Sequence, residues 1–186
     1  MTRTTNAPAT RDARPNSAYW TPARLPLPDR PATFAADLAI ENIGGQPADY
    51  RRGMAAFHVF DLDVSKRVFA VCGTSTRVLA LHEQPGAWGA NEPFYHVAES
   101  PYEEFDDGFT RLRTCEVTLD RSTSTAAWHV DGHKIYQAHG TLIPERVVVG
   151  LGIWTMLPIR DGRSRSLDGQ GIDVRWRRIR VRGAGS

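Results

Sequence analysis

The sequence predicts an all-β protein, an antiparallel sandwich or barrel preceded by an extended N-terminal arm. Two observations carry this. About ten short runs rich in β-branched and aromatic residues are separated by turn-forming clusters such as GGQPAD, CGTST, SPYEEFDDG and DRSTS, and no run sustains a helical period. In addition, Asp131-Gly132 sits between two such runs, and a type I′ turn needs positive φ at both central positions. That turn places Val130 opposite His133, Trp128 opposite Ile135 and Ala126 opposite Gln137. Trp128, Val130 and Ile135 then share the inward face, and His129 and Tyr136 the other.

From the N-terminus, residues 1–16 are polar and rich in Thr, Arg and Pro, which reads as a mobile lead-in. Tyr19–Pro31 (YWTPARLPLPDRP) is too proline-rich for a regular ladder, but its apolar side chains predict an arm lying on the body. The division is therefore a flexible arm over 1–31 and one domain over 32–183. Its strand runs are Thr33–Ile40, Met54–Asp61, Arg67–Cys72, Arg77–His82, Phe94–Glu99, Phe109–Leu119, Ala126–Val130, His133–Gln137, Arg146–Met156 and Ile172–Val181.

Met54–Asp61 and Arg77–His82 are apolar on both faces, whereas a sandwich strand needs only one. The second face needs a cover: the arm, a partner subunit (a possible homodimer) or an apolar ligand in a groove. Arg146–Met156 reads as the central strand. Gly150, Gly152 and Trp154 share one face, where the glycines either floor a groove walled by Trp154 or relieve crowding in a curved sheet. In Ile172–Val181 the apolar phase shifts at Arg177–Arg178, as a bulge would shift it, and the arginines read as a solvated edge.

Composition narrows the function classes. The formal charge is only +2, too small to indicate a nucleic-acid partner, and no stretch is long and apolar enough to span a membrane. Of 23 basic residues only Lys66 and Lys134 are lysine, which points to a GC-rich bacterial genome. The first residues contain no apolar signal region, so a cytoplasmic protein is expected, with Cys72 and Cys115 as free thiols.

WHVDGHKIY resembles the hairpin W-x-V-D-G-x-x-(I/V)-Y of concanavalin A-like jelly rolls, the lectin and laminarinase-type glucanase superfamily, and GIDVRWRRIRV is similar to the closing strand of those glucanases. FHVFDLDVSKRVFAV, LALHE, WHVDGHKIYQ and GLGIWTML in this order resemble, more closely, an uncharacterised actinobacterial jelly-roll family found near specialised-metabolite genes. The resemblance implies a two-sheet jelly roll with a concave face and assigns no reaction.

The carboxylate motif E-x-D-x-x-E of the glucanases is absent. Glu104-Phe105-Asp106 lacks the third acid and lies between Pro101 and Gly108, which indicates a loop. No phosphate-binding loop, dinucleotide fingerprint, zinc motif or nucleophile elbow occurs, so no cofactor and no metal are expected. The candidate catalytic residues are His58, which interrupts an apolar face, and Glu83 or His82 at the end of a strand. Adjacent strand residues face opposite ways, so only one of the latter two can line a groove; the family resemblance favours Glu83. Trp154, Gly150, Gly152, Tyr95 and His96 are the candidate substrate-binding residues. Two functions stay open: a cofactor-independent enzyme that cyclises, isomerises or eliminates on an apolar small molecule, or a non-catalytic lectin-like module for a glycan or small molecule.

Overall fold

A computed structural model describes residues 2–6, 17–21, 23–61, 63–86, 90–155, 159–160, 163–164 and 171–183; for 2–6, 17–20, 159–160 and 163–164 it describes the backbone alone. The strands in chain order are β1 (Thr2–Asn6), β2 (Ser17–Trp20), β3 (Leu25–Pro26), β4 (Ala32–Ile43), β5 (Met54–Phe60), β6 (Val68–Gly73), β7 (Val78–Gln84) and β8 (Phe94–Glu99). They continue as β9 (Arg113–Asp120), β10 (Thr125–Val130), β11 (His133–His139), β12 (Arg146–Trp154), β13 (Ile159–Arg160), β14 (Arg163–Ser164) and β15 (Gly171–Arg182). One sheet runs β1-β15-β4-β9-β10-β11. The other runs β2-β12-β5-β6-β7-β8, with β3 also on β12. Every pairing in the two sheets is antiparallel, giving the two-sheet jelly-roll sandwich that the turn spacing predicts.

The sandwich closes over one core. Phe34 and Leu38 of β4, Phe57 and Val59 of β5, Phe69 of β6, Trp128 of β10, Ile153 of β12 and Trp176 of β15 meet there. Each buried aromatic removes on the order of 150–250 Å² from water, the main favourable contribution to folding. Strand β9 shows the one-faced pattern of such a sheet, with every second residue from Arg113 to Leu119 buried. Strands β5 and β6 are buried along their whole length. Their second faces join Leu79 and Leu81 of β7 in a smaller apolar cluster on the outer side of the seven-stranded sheet.

The Asp131-Gly132 turn has the expected positive φ values of 50° and 84°. Beyond it the register differs from expectation. His129 pairs Lys134, Trp128 pairs Tyr136 and Ala126 pairs Ala138, because a bulge adds Ile135 to β11. Ile135 and Tyr136 therefore both pack toward Trp128, with the Tyr136 ring 5.1 Å from it, instead of dividing between two faces. The bulge expected in the last strand is present, with the pairing shifted between Arg177 and Arg180 and Arg178 at φ 50°.

The arginines of that strand are largely solvated, as expected, and three of them also form ion pairs. Arg178 Nε donates to Asp37 at 2.5 Å and Arg180 at 3.2 Å, Arg182 pairs with Glu116, and the β1 backbone covers the edge of β15. The described part of the arm is a sheet edge. Backbone of β2 and β3 pairs with β12, and Leu25 and Leu27 join the inter-sheet core, not the outer cluster. Extended proline-bearing chain can satisfy its remaining amides on an open strand, as Leu27 N does on Glu145 O at 2.8 Å. Residues 7–16 of the arm and Met156 of the central run lie outside the described residues.

Glu104-Phe105-Asp106 lies in a loop around a single 3-10 turn, as its flanking Pro and Gly require. The loop is tied down by Arg113, which donates to Gly108 O at 2.6 Å, Glu104 O at 3.0 Å and Asp131 at 2.9 Å, and also pairs with Asp107. Its guanidinium lies over the Phe105 ring.

Candidate functional site

The outer face of the seven-stranded sheet is a lattice fixed by strand register. Across β12, β5, β6, β7 and β8, one row reads Val148, Phe60, Val68, Glu83, Tyr95. The next reads Gly150, His58, Ala70, Leu81, Val97, and the third Gly152, Ala56, Cys72, Leu79, Glu99. Trp154 and Met54 begin a fourth. Directly paired residues project to the same side, so six of the sequence candidates, His58, Glu83, Trp154, Gly150, Gly152 and Tyr95, come together.

Two do not. His82 and His96 pair with each other on the opposite side of β7 and β8. His82 stacks on Phe69 at 5.1 Å, lies 5.7 Å from Trp128 and shares a 3.0 Å hydrogen bond with the Thr141 hydroxyl. Burial, with Arg67 and His96 nearby, pulls its pKa down to about 4. It is a satisfied core polar group. His96 stacks on Tyr136 at the sandwich seam. The strand alternation that separates His82 from Glu83 decides both placements.

His58 lies in the apolar lattice with only ring neighbours, Trp154 at 5.2 Å edge-on and Phe60 at 6.3 Å. Neither of its nitrogens has a hydrogen-bond partner among the described residues, and burial lowers its pKa to about 3. At neutral pH it is an uncharged imidazole, a hydrogen-bonding group and a poor proton carrier. Glu83 has no hydrogen bond or ion pair among the described residues, and burial raises its pKa to about 7. Both of its protonation states are therefore populated at neutrality, as a general acid or base requires. Strand spacing and rise place the His58 and Glu83 Cα atoms about 12 Å apart, so they meet through a ligand and not directly.

Trp154 explains Gly152. A Cβ at position 152 would lie 2.4 Å from Trp154 Nε1 and 2.9 Å from its Cε2. The indole thus folds back against the β12 backbone, and the glycine makes room for it rather than for a ligand. Tyr95, at 62 % exposure, stands on the rim and its hydroxyl accepts from Gly86 N at 3.0 Å. Cys72 was not singled out from the sequence. Its place opposite Ala56 puts it on this face, where burial and the Glu83 charge push its thiol pKa up, so it is an inert lining group. Tyr50 packs on the same cluster from a loop that carries no periodic signal.

A separate cavity of about 390 Å³ opens beside the β5–β6 and β11–β12 loops, lined in part by Arg24, Asp63, Val64, Arg121, Leu142 and Arg146. Its charges are largely used locally. Arg24 pairs with Asp63, Arg121 with Glu145, and Asp61 accepts three backbone N–H groups of its own turn. The remaining charged side chain, Arg146, is exposed to solvent, so the cavity has no buried titratable group comparable to those of the sheet face among the described residues.

Residues 26–185 match the Family of unknown function (DUF6081), and the chain belongs to that family. No protein of curated function matches its sequence. Among solved structures it is similar to one from a study of endo-acting O-glycanases of the human gut microbiota, at 13% identity and TM-score 0.61, over 96% of this chain and 78% of that one. It is also similar to the Bacillus licheniformis β-glucanase, at 12% identity and TM-score 0.55, over 87% and 70% of the two chains. A third is the carbohydrate binding module CBM66 from Bacillus subtilis, at 13% identity and TM-score 0.51, over 96% and 94%. At such identities the likeness shows the fold alone, a two-sheet jelly-roll sandwich.

Proposed function

We propose that this family member is a cofactor-independent enzyme of bacterial specialised metabolism whose outer sheet face binds an apolar small molecule. Glu83 moves a proton on that molecule, His58 orients it, and the outcome is a cyclisation, isomerisation or elimination. The observation that carries this reading is Glu83 itself, a carboxyl with a pKa raised by burial to about 7 and no partner among the described residues, on the same apolar face as a neutral His58 likewise unbonded among them. Unpaired buried polar groups are costly, and a substrate that meets them is a reason to keep them. The apolar walls from Phe60, Ala70, Leu79 and Leu81 hold a hydrocarbon body in a reactive shape.

The alternative, a glycan-binding module like the similar CBM66 structure, calls for a face dense in amides and hydroxyls. The three rows contain no Asn or Gln, and Tyr95 supplies their only hydroxyl. Metabolite profiling of a producing strain tests the proposal. Deletion should accumulate a precursor, wild-type complementation should restore the product, and Glu83→Gln should restore it about 10²–10⁴-fold more slowly. Full complementation by both Glu83→Gln and His58→Ala would remove proton transfer from the mechanism.

A further inference from the structure

We infer that the cavity beside the β5–β6 and β11–β12 loops binds a small organic monocarboxylate with an apolar body, its carboxylate on Arg146 and its body between Val64 and Leu142. This site is separate from the outer sheet face and does not depend on what that face binds.

The charges that line the cavity leave one cation without a partner. Three arginines and three carboxylates face it: Arg24, Arg121, Arg146, Asp61, Asp63 and Glu145. Arg24 pairs with Asp63, and Arg121 with Glu145 at 3.8 Å and with Asp29 at 3.1 Å. Asp61 is occupied by its own turn, where it accepts from Asp63 N at 3.0 Å, Ser65 N at 2.7 Å and the Ser65 hydroxyl at 2.8 Å. Arg146 has no hydrogen bond or ion pair among the described residues. A guanidinium offers two parallel N–H donors that match the two oxygens of a carboxylate. The carboxylates nearby repel a dianionic phosphate ester more than a singly charged acid, which selects the carboxylate.

The rest of the cavity fits hydrocarbon. Its volume of about 390 Å³ is that of a small-molecule pocket, roughly 300–1,000 Å³. Val64, 90% exposed, and Leu142, 54% exposed, line it from the two loops, with Ile143 beside Leu142. Exposed aliphatic side chains within a polar rim mark binding surfaces. The walls are fixed before a ligand arrives. Asp61 holds the turn that carries Val64. Thr141, bonded to Ser124 O through its N–H and to His82 through its hydroxyl, holds the start of the loop that carries Leu142. Arg146 begins β12, where it pairs with Pro26 of the arm. Such preorganisation lowers the entropic cost of binding.

The test compares 2-naphthoate with 2-naphthamide, which has the same shape without the charge. Calorimetry on the full chain should show the naphthoate binding about five- to tenfold more tightly, the weight of a charge-assisted hydrogen-bond pair partly screened by solvent. Arg146→Met and Arg146→Gln should each abolish that preference and leave the naphthamide affinity unchanged, and Leu142→Ser should weaken both compounds severalfold. In ¹H–¹⁵N spectra the amides that shift should centre on residues 63–65 and 141–146. Equal affinity for the two compounds, or a preference that survives both Arg146 variants, overturns the carboxylate assignment. Shifts centred on His58 and Glu83, or binding of neither compound at millimolar concentration, overturns the site itself.

Discussion

Replacing Glu83 by Gln should make the protein more stable, and by an amount that depends on pH. The carboxyl has an ordinary pKa of 4.5 and a folded value of about 7, raised by burial. Below pH 4.5 both folded and unfolded chains carry the proton and the residue costs nothing. As pH rises from 4.5 to 7 the unfolded chain loses the proton first, so the native state is progressively penalised. Above 7 the penalty is constant at about 3 kcal/mol, the free-energy equivalent of raising the pKa from 4.5 to about 7. Linkage gives about 1 kcal/mol at pH 5, about 2 at pH 6 and about 3 at pH 8. Glutamine keeps the shape without the charge, so its stability advantage over wild type should grow by about 2 kcal/mol between pH 5 and pH 8. Urea unfolding at those values reads it directly, and thermal scans should separate the two proteins by several degrees more at pH 8 than at pH 5, roughly 2–4 °C per kcal/mol. Because both chains share every other titrating group, their difference isolates position 83. A difference that does not change with pH would mean that Glu83 is paired or solvated, and the argument for it as the acid–base group would fail.

Other perturbations follow from the same geometry. Gly152→Ala forces the Trp154 indole off the β12 backbone and should cost about 1–3 kcal/mol by overpacking, with a change in tryptophan fluorescence; unchanged stability and emission would place the indole elsewhere. Arg113→Met removes one side of a buried ion-pair and carbonyl clamp and should destabilise by about 3–5 kcal/mol, with faster amide exchange in residues 102–110; a loss below 1 kcal/mol would show that the loop holds itself. His82→Leu should leave turnover and ligand binding at the outer face intact, because His82 faces the core. It should also weaken the loss of stability expected as pH falls below the ordinary histidine range toward pH 4, where a buried neutral imidazole is forced to charge. Abolished turnover in a folded His82→Leu protein would return that residue to the site.

The alternation of side chains along a strand is a local property, and what depends on it was legible from the chain alone. It separates Glu83 from His82, groups Gly150, Gly152 and Trp154, and exposes the second apolar face of Met54–Phe60. The Asp131-Gly132 turn and the bulge at Arg177–Arg178 were legible for the same reason, since each follows from backbone preferences of two or three residues. Other features depend on contacts between distant segments. The bulge at Ile135 shifts the hairpin register because Tyr136 packs on Trp128, a choice made by the core and not by the turn. Arg178 and Arg180 gain Asp37 as a partner only once β15 lies beside β4. The arm becomes a sheet edge because β12 has open amides to pair. Above all, periodicity says that His58 and Glu83 each point to one side of a strand. It cannot say that β6 alone stands between them, nor that neither finds a partner there, because pairing order and burial are settled by the whole sandwich. The sequence by itself determined the sandwich and the faces of its strands; only the tertiary structure decided which faces coincide, and so which polar groups are left unpaired in an apolar surround.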